Sequence, residues 1–270
     1  MKQSVFRVWA AVWSGIVTFT FVGVTVLTLA LWLTDPDYAE TTPVADLSFF
    51  ALGAIIGLGL ASQLRRPEQR IAGLHQVGIG ILSLGVAGVI GARIEPAVGA
   101  VLLLLVVAVL VVLHPARRDI FAPGPGIDVP VLALSALAAV PAVVYAAGML
   151  HLAAEAGPSC FLGQCARGDR FAEIAAAAIT IVLVGGLAGF NTPGWRLPLW
   201  SAGAAAILIG STSIAFTDVT GSLGLGWGSL AVIWGVLLIV IGERRERRGP
   251  PPTTAQFEEG KARHVQSSRR

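Results

Sequence analysis

The sequence predicts an all-helical, polytopic integral membrane protein with eight transmembrane helices. Hydrophobic residues make up 55% of the 270-residue chain and charged residues only 13%, and the mean hydropathy is +0.76. A soluble domain carries about 25% charged residues, so this chain has too few charges to cover a surface that faces water. Its apolar residues fall into eight long stretches, and about 20 helical residues are enough to cross about 30 Å of hydrocarbon.

The eight stretches give the expected positions of the helices. They are continuously apolar, whereas the strands of a membrane barrel are shorter and alternate in polarity, so helices are expected. The predicted spans are 11–33, 45–64, 71–91, 97–113, 129–150, 171–190, 197–216 and 223–241.

The charges are distributed unequally about these spans. With the N-terminus inside, 16 of the 19 Lys and Arg residues lie in the N-terminal segment, the inner loops and the tail, whereas the outer loops contain Arg93, Arg167 and Arg170. The acidic residues of the outer loops and outer span ends are Asp35, Asp37, Glu40, Asp46, Glu95, Glu155, Asp169, Glu173 and Asp218. This asymmetry predicts a multi-pass plasma-membrane protein with both termini in the cytoplasm.

Alignment of the chain with itself at a shift of 126 residues suggests an internal duplication. It superposes Pro67 on Pro193 and Arg70 on Arg196, and it lays the second, third and fourth spans on the sixth, seventh and eighth. The expected organisation is a four-helix repeat over 1–118, a second over 119–248 and a disordered cytoplasmic tail over 249–270. Because four spans per unit preserve orientation, the repeats would be parallel. They could enclose a ligand site between them, or descend from two fused four-helix units.

Small residues predict close packing between the helices. The chain contains 32 glycines, and Gly224 and Gly228 form a G-x-x-x-G pattern in the eighth span. Small residues let helix backbones approach each other in lipid, so these are expected to be packing faces. The fourth span has no polar side chain between 101 and 113 and is expected at the lipid-facing periphery. Pro141 is expected to kink the fifth.

The polar residues near the centres of the spans are uncharged. No span has an Asp, Glu, Lys or Arg near its centre, which argues against proton-coupled pumping and transport of strongly charged solutes. Five residues form a speculative ligand-binding set: His75, Gln76, His114, Tyr145 and Ser211. His75 and His114 have similar expected depths and could ligate a haem. An interfacial hydrogen-bonding or headgroup role is the favoured alternative, so no cofactor is expected.

Arginines cluster where spans meet the cytoplasm. Contacts with lipid headgroups or with a protein partner are expected for Arg65, Arg66, Arg117, Arg118, Arg244 and Arg245. No binding of nucleic acid is expected, because the basic residues sit in short loops beside apolar spans and are explained by orientation in a membrane.

The two cysteines, Cys160 and Cys165, fall in the longest outer loop. An outer location is oxidising, so a disulfide is expected. A redox-active pair is the alternative, although the C-x4-C spacing differs from the C-x-x-C of thioredoxin-like sites. His151, Glu155 and Asp169 lie near enough in sequence to make an outer zinc site conceivable, but no metal site is predicted.

No catalytic motif is recognisable in the chain, so it is not expected to be an enzyme. We favour a structural or accessory subunit that packs with a membrane complex or self-assembles. The alternative is a transporter or binder of a small neutral or lipophilic molecule at the repeat interface. A third hypothesis is a membrane redox protein that uses haem at His75 and His114, or thiols at Cys160 and Cys165.

Overall fold

The protein is a bundle of eight long helices. The structure, a computed structural model, describes residues 2–34, 43–122, 124, 126–157 and 166–246, and within these it has eight α-helices, one short 3-10 turn and no strand. The helices are α1 (Lys2–Thr34), α2 (Pro43–Ser62), α3 (Ile71–Ile90), α4 (Ile94–Leu113), α5 (Val129–Glu155), α6 (Ala166–Gly189), α7 (Arg196–Ala215) and α8 (Gly224–Glu246). Each contains a stretch long and apolar enough to cross a membrane, which confirms the prediction of an all-helical chain with eight apolar spans.

Several helices are longer than the predicted spans. The first begins at Lys2 rather than at 11, the fifth continues to Glu155, and the sixth begins at Ala166 rather than at 171. Hydropathy marks only the part of a helix that fits the hydrocarbon, whereas the backbone hydrogen bonding continues into polar residues at the ends. The predicted disordered tail and both cysteines lie outside the described residues.

Prolines help to set where the helices begin. Pro43, Pro96, Pro130 and Pro198 each lie in the first turn of a helix, where a backbone N–H has no partner within the helix. The carboxylate of Asp128 precedes α5 and accepts a hydrogen bond from the backbone N–H of Val131 at 3.2 Å. Helix α5 continues uninterrupted through Pro141, where a kink was predicted.

The bundle has a central group of four helices and four flanking helices. In the most apolar stretch of α2, α3, α6 and α7, between 56% and 67% of the residues are buried. The corresponding share is 17% to 28% in α1, α4, α5 and α8. Helix α3 packs against α6, and α2 packs against both α6 and α7, so the central helices join the two halves of the chain. The low burial of α4 agrees with its predicted peripheral position.

One end of the bundle carries the junctions after α3, α5 and α7. Arg93 in the α3–α4 linker donates a hydrogen bond to the carbonyl of Ala153 at the end of α5. The hydroxyl of Tyr145 in α5 donates to the carbonyl of Gly221 in the α7–α8 linker. The first turn of α2 belongs to the same end, because Asp46 forms an ion pair with Arg170 of α6. We call this the acidic end.

The opposite end carries the junctions after α2, α4 and α6, and we call it the basic end. The N–H of Ala72, in the first turn of α3, donates to the carbonyl of Pro193 at 2.9 Å, which joins the start of α3 to the α6–α7 linker. Gly194 has a φ of +87°, and a Cβ built there would lie 3.0 Å from the Cα of Arg70, so a side chain would be strained and crowded. The two linkers therefore form one compact contact.

Glycines bring the backbones of α7 and α8 together. A Cβ on Gly210 would lie 2.6 Å from the carbonyl oxygen of Gly228, and a Cβ on Gly228 would lie 2.9 Å from the carbonyl oxygen of Gly210. Gly203 and Gly235 repeat this close approach along the same interface. Gly224, the other member of the predicted G-x-x-x-G pattern, faces open space. The packing therefore uses Gly228 with a partner on α7 rather than the pattern as a whole.

The Gly228→Ala substitution should destabilise the α7–α8 pair by about 1–3 kcal/mol, because the added methyl group forces the two backbones apart. Thermal unfolding of the purified protein in detergent measures this loss as a lower midpoint. Gly226→Ala is the matched control, since it lies on the same helix and its Cβ would meet nothing within 4 Å. Equal midpoints for the two variants would show that the close approach does not matter.

Candidate functional site

The two histidines of the predicted ligand-binding set have different surroundings. The His75 ring stacks on Phe121, with centroids 6.3 Å apart, whereas the His114 ring meets the edge of Phe6 at 5.4 Å. His114 is 2% exposed, and its Nδ1 accepts a hydrogen bond from the N–H of Ala116 at 3.1 Å. No contact between the two imidazoles is recorded among the described residues. The alternative of a haem at these histidines stays untested.

His114 lies just beyond the end of α4, in surroundings that favour the neutral form of its ring. Burial lowers the pKa of its imidazole below the ordinary value of 6.5, and the nearby carboxylate of Glu68 and carbonyl of Pro67 oppose this effect only in part. A neutral ring is required for Nδ1 to accept a hydrogen bond from the N–H of Ala116. The imidazole therefore acts as a cap for the α4–α5 linker.

Gln76 forms a polar junction between the two halves of the chain. Its side chain is fully buried in α3, and its Nε2 donates to the carbonyl of Ile55 in α2 at 2.5 Å and to the hydroxyl of Ser201 in α7 at 3.2 Å. One amide thus connects three central helices. A buried polar group with such partners stabilises a specific arrangement of helices in an apolar surrounding.

The two remaining members of the predicted set lie elsewhere. The Tyr145 hydroxyl bonds to the α7–α8 linker at the acidic end, and Ser211 is exposed on α7. The structure therefore does not gather the five residues into one pocket. Gln76 and Ser201 are brought together instead, and Ser201 was not among the predicted residues.

The predicted headgroup-binding arginines are at the surface of the basic end. Arg65, Arg66, Arg117 and Arg118 are exposed in the linkers, and Arg244 is exposed near the end of α8. The side chain of Arg245 lies outside the described residues, as do Cys160 and Cys165 with their predicted disulfide. Their contact with lipid headgroups or with a protein partner stays a prediction.

A charged cavity at the acidic end was missed by the sequence analysis. It has a volume of about 170 Å³ and lies between the acidic-end parts of α1, α2, α4 and α6. Four of its nine lining residues are carboxylates and one is an arginine. Its polar and aromatic lining residues are Thr25, Thr28, Asp46, Phe49, Glu95, Asp169, Arg170 and Glu173. We call this the acidic cavity.

The charges of the acidic cavity are unequally paired. Asp46 forms an ion pair with Arg170, whereas Asp169 is 5% exposed and its two carboxylate oxygens have no hydrogen-bond partner within the part of the chain that the structure describes. Arg93 is 2% exposed, packs against the backbone of Gly168 and donates to the carbonyl of Ala153. Burying a carboxylate without a partner costs folding free energy, so Asp169 is the group of this cavity that a nearby cation would stabilise most.

The sequence contains one sign of this cavity. Asp46, Glu95 and Asp169 each fall in the first turn of a helix, and all three helices begin at the acidic end. A carboxylate in a first turn is favoured by the helix dipole. Because this is an ordinary structural role, none of the three residues indicates a binding site by itself. Their convergence depends on which helices are neighbours, and the sequence pattern does not specify that.

Comparison with known proteins identifies no relative: no family model, curated protein or solved structure matches this chain at a significant level. Within the described residues there is also no group of three or more His, Cys, Asp or Glu side chains arranged to hold a metal ion.

The Gln76 junction predicts a measurable coupling between α3 and α7. In a double-mutant cycle of Gln76→Leu and Ser201→Ala, the coupling free energy should be about 0.5–2 kcal/mol, as for other hydrogen bonds between membrane helices. Unfolding of the four proteins in mixed micelles provides the values. Gln69→Leu is the control, since Gln69 is exposed. A coupling of zero would remove the role assigned to Gln76.

His114 predicts a loss of stability on acidification. Because its folded-state pKa is depressed, the unfolded chain takes up the proton first, and stability falls as the pH drops through 6.5 towards the folded-state pKa. His114→Asn keeps a hydrogen-bond acceptor without a titrating ring, so its midpoint of thermal unfolding should change less between about pH 7.5 and pH 5.5 than that of the unmodified protein. An equal change in the two proteins would contradict the role assigned to the His114 ring.

Proposed function

We propose that this chain is a structural or accessory subunit of the plasma membrane that packs with a membrane complex or with further copies of itself. The central helices support this proposal, because they are joined by close backbone contacts and by the buried Gln76–Ser201 hydrogen bond. Such packing suits a rigid scaffold. In this proposal the protein has no enzymatic activity of its own.

The proposed orientation places both termini in the cytoplasm. In support, the basic end carries exposed arginines in the linkers after α2 and α4, whereas the acidic end carries the four carboxylates of the acidic cavity. Short loops rich in Lys and Arg stay on the cytoplasmic side during insertion. The acidic end therefore faces outward.

The proposed 4+4 duplication is supported by three features. In each half the order of burial is the same: a flanking helix, two central helices and a second flanking helix. The helices of one half pack in the same sequence of neighbours as those of the other. The two linkers that the shift of 126 residues superposes also touch each other, where Gly194 packs against Arg70. Parallel repeats related by an axis along the membrane normal would produce this pattern.

The observation that carries the accessory proposal is the exposed face of α1. The opposite face packs into the bundle through buried residues, including Phe6, Ala10, Val17 and Phe21. One stripe of this exposed face follows steps of four and three residues in alternation, which is the heptad spacing of helices that pack in left-handed pairs. We call it the α1 seam, and it consists of Val8, Val12, Gly15, Phe19, Val22 and Val26.

The α1 seam has a shape that suits a partner helix. Phe19 is 81% exposed, and a Cβ built on Gly15 would meet nothing within 4 Å, so a protruding ring lies one turn from an open notch. Interdigitation of large and small residues provides the packing contacts that hold helices together in lipid. A helix of another subunit, or of a second copy, would fill this notch.

The second candidate is a transporter or binder of a small molecule at the interface of the two halves. The observation that favours it is the acidic cavity, which lies where α2 of the first half meets α6 of the second. The sequence predicts a neutral or lipophilic ligand for this alternative. Val24 and Phe49 are the two apolar residues that line the cavity, so its lining does not suit such a ligand. The accessory proposal is therefore preferred.

The α1 seam predicts that filling the notch disrupts assembly. Gly15→Leu should reduce the assembled fraction at least about tenfold, which corresponds to about 1.4 kcal/mol of lost packing. Native mass spectrometry of protein gently released from its own membrane measures this fraction. Gly148→Leu is the matched control, because Gly148 is an exposed glycine on α5 with the same open space around it.

Each outcome of this experiment has a definite meaning. A partner or second copy that Gly15→Leu removes and Gly148→Leu retains supports the proposal. An assembly that survives both substitutions moves the contact away from α1. A chain that is released only as a monomer contradicts the accessory proposal itself.

A further inference from the structure

The acidic cavity has the composition of a site for a cation. Its four carboxylates and one guanidinium leave a formal charge of −3 when all are ionised. Glu173 interacts electrostatically with Asp46, Glu95 and Asp169 as well as with Arg170, so the carboxylates are close enough to repel one another. Like charges that converge in a half-enclosed space are stabilised when a positive charge lies among them.

Asp169 supplies the second, independent observation. It lines the cavity, is more than nine-tenths buried, and among the described residues neither of its carboxylate oxygens has a hydrogen-bond partner. The buried guanidinium of Arg93 interacts with this carboxylate through its charge, but its Nη2 donates to the carbonyl of Ala153. A buried carboxylate without a partner is destabilising unless a ligand or water supplies the missing contacts.

The walls of the acidic cavity discriminate between kinds of cation. Phe49 presents an aromatic ring, which is itself packed against Phe21 with centroids 4.5 Å apart. The hydroxyls of Thr25 and Thr28 donate to backbone carbonyls of α1, so their oxygens present lone pairs as acceptors. Hydrogen-bond acceptors beside an aromatic face suit an alkylammonium group, which combines N–H donors with a cation–π contact.

We propose that the acidic cavity binds the ammonium group of a small organic cation, with Asp169 as its principal charge partner. A volume of about 170 Å³ holds an ammonium group with a short alkyl chain and excludes larger drug-sized molecules. The group belongs either to a free amine or to the headgroup of an ethanolamine lipid. This inference does not depend on the accessory function, because a scaffold subunit and a transporter can both carry such a site.

The test uses the full chain in detergent and in lipid nanodiscs. Free ethanolamine should raise the midpoint of thermal unfolding in detergent, and Asp169→Asn should weaken its apparent affinity at least about tenfold, as loss of an ion pair worth about 1.4 kcal/mol would do. Asp218→Asn is the matched control, because Asp218 is an exposed residue in the α7–α8 linker and is not among the lining residues. It should leave the affinity unchanged.

The lipid arm distinguishes the two sources of the ammonium group. Native mass spectrometry of protein from nanodiscs containing equal amounts of phosphatidylethanolamine and phosphatidylglycerol should show retained phosphatidylethanolamine if the ligand is a headgroup. Asp169→Asn should abolish that preference. Binding of ethanolamine in detergent without any lipid preference identifies a free amine instead. Both results support the site.

Other outcomes would overturn the proposal. If neither ethanolamine nor phosphatidylethanolamine distinguishes the unmodified protein from Asp169→Asn, the carboxylate has only a structural role. If Na⁺ or Mg²⁺ stabilises the protein through Asp169 and ethanolamine does not, the site is inorganic. Should Asp169→Asn fail to fold, Glu173→Gln provides the same comparison, and unchanged ethanolamine affinity in that variant would count against the cavity.

Discussion

The close approach of helix backbones within the bundle is the constraint on which the rest of the structure depends. In lipid the hydrophobic effect does not drive helices together, so association relies on van der Waals packing and on hydrogen bonds between helices. Gly210 and Gly228 allow such contact between α7 and α8, and Gln76 fixes α3 against α2 and α7. The flanking helices contribute less burial and take their positions from this centre.

Much of the fold was predictable because lipid imposes a strict requirement on the backbone. Every peptide group must find a partner inside the membrane, so long apolar stretches become helices whatever their detailed composition. All eight helices were predicted for this reason. Their ends were placed less well, as Lys2 and Ala166 illustrate, because hydropathy does not record how far a helix extends into the polar interface.

The candidate sites were harder to predict. A helix that is apolar all round gives no indication of which face meets its neighbours. For that reason the exposure of Ser211, which was expected to bind a ligand, could not be predicted. The acidic cavity combines residues from four helices that are far apart in the chain. Asp169 looked like an ordinary loop or helix-end carboxylate, because its burial depends on neighbours that the sequence does not specify.

The position of Arg93 has a consequence for biosynthesis. Its guanidinium packs against the backbone of Gly168 and bonds to the carbonyl of Ala153, which lies 60 residues further along the chain. While the first four helices are being inserted, these partners have not yet been made, and the guanidinium must remain hydrated at the membrane surface. The first half therefore completes its folding only after α5 and α6 arrive. Two half-chains produced separately would mature as an interdependent pair, and neither would reach its final structure alone.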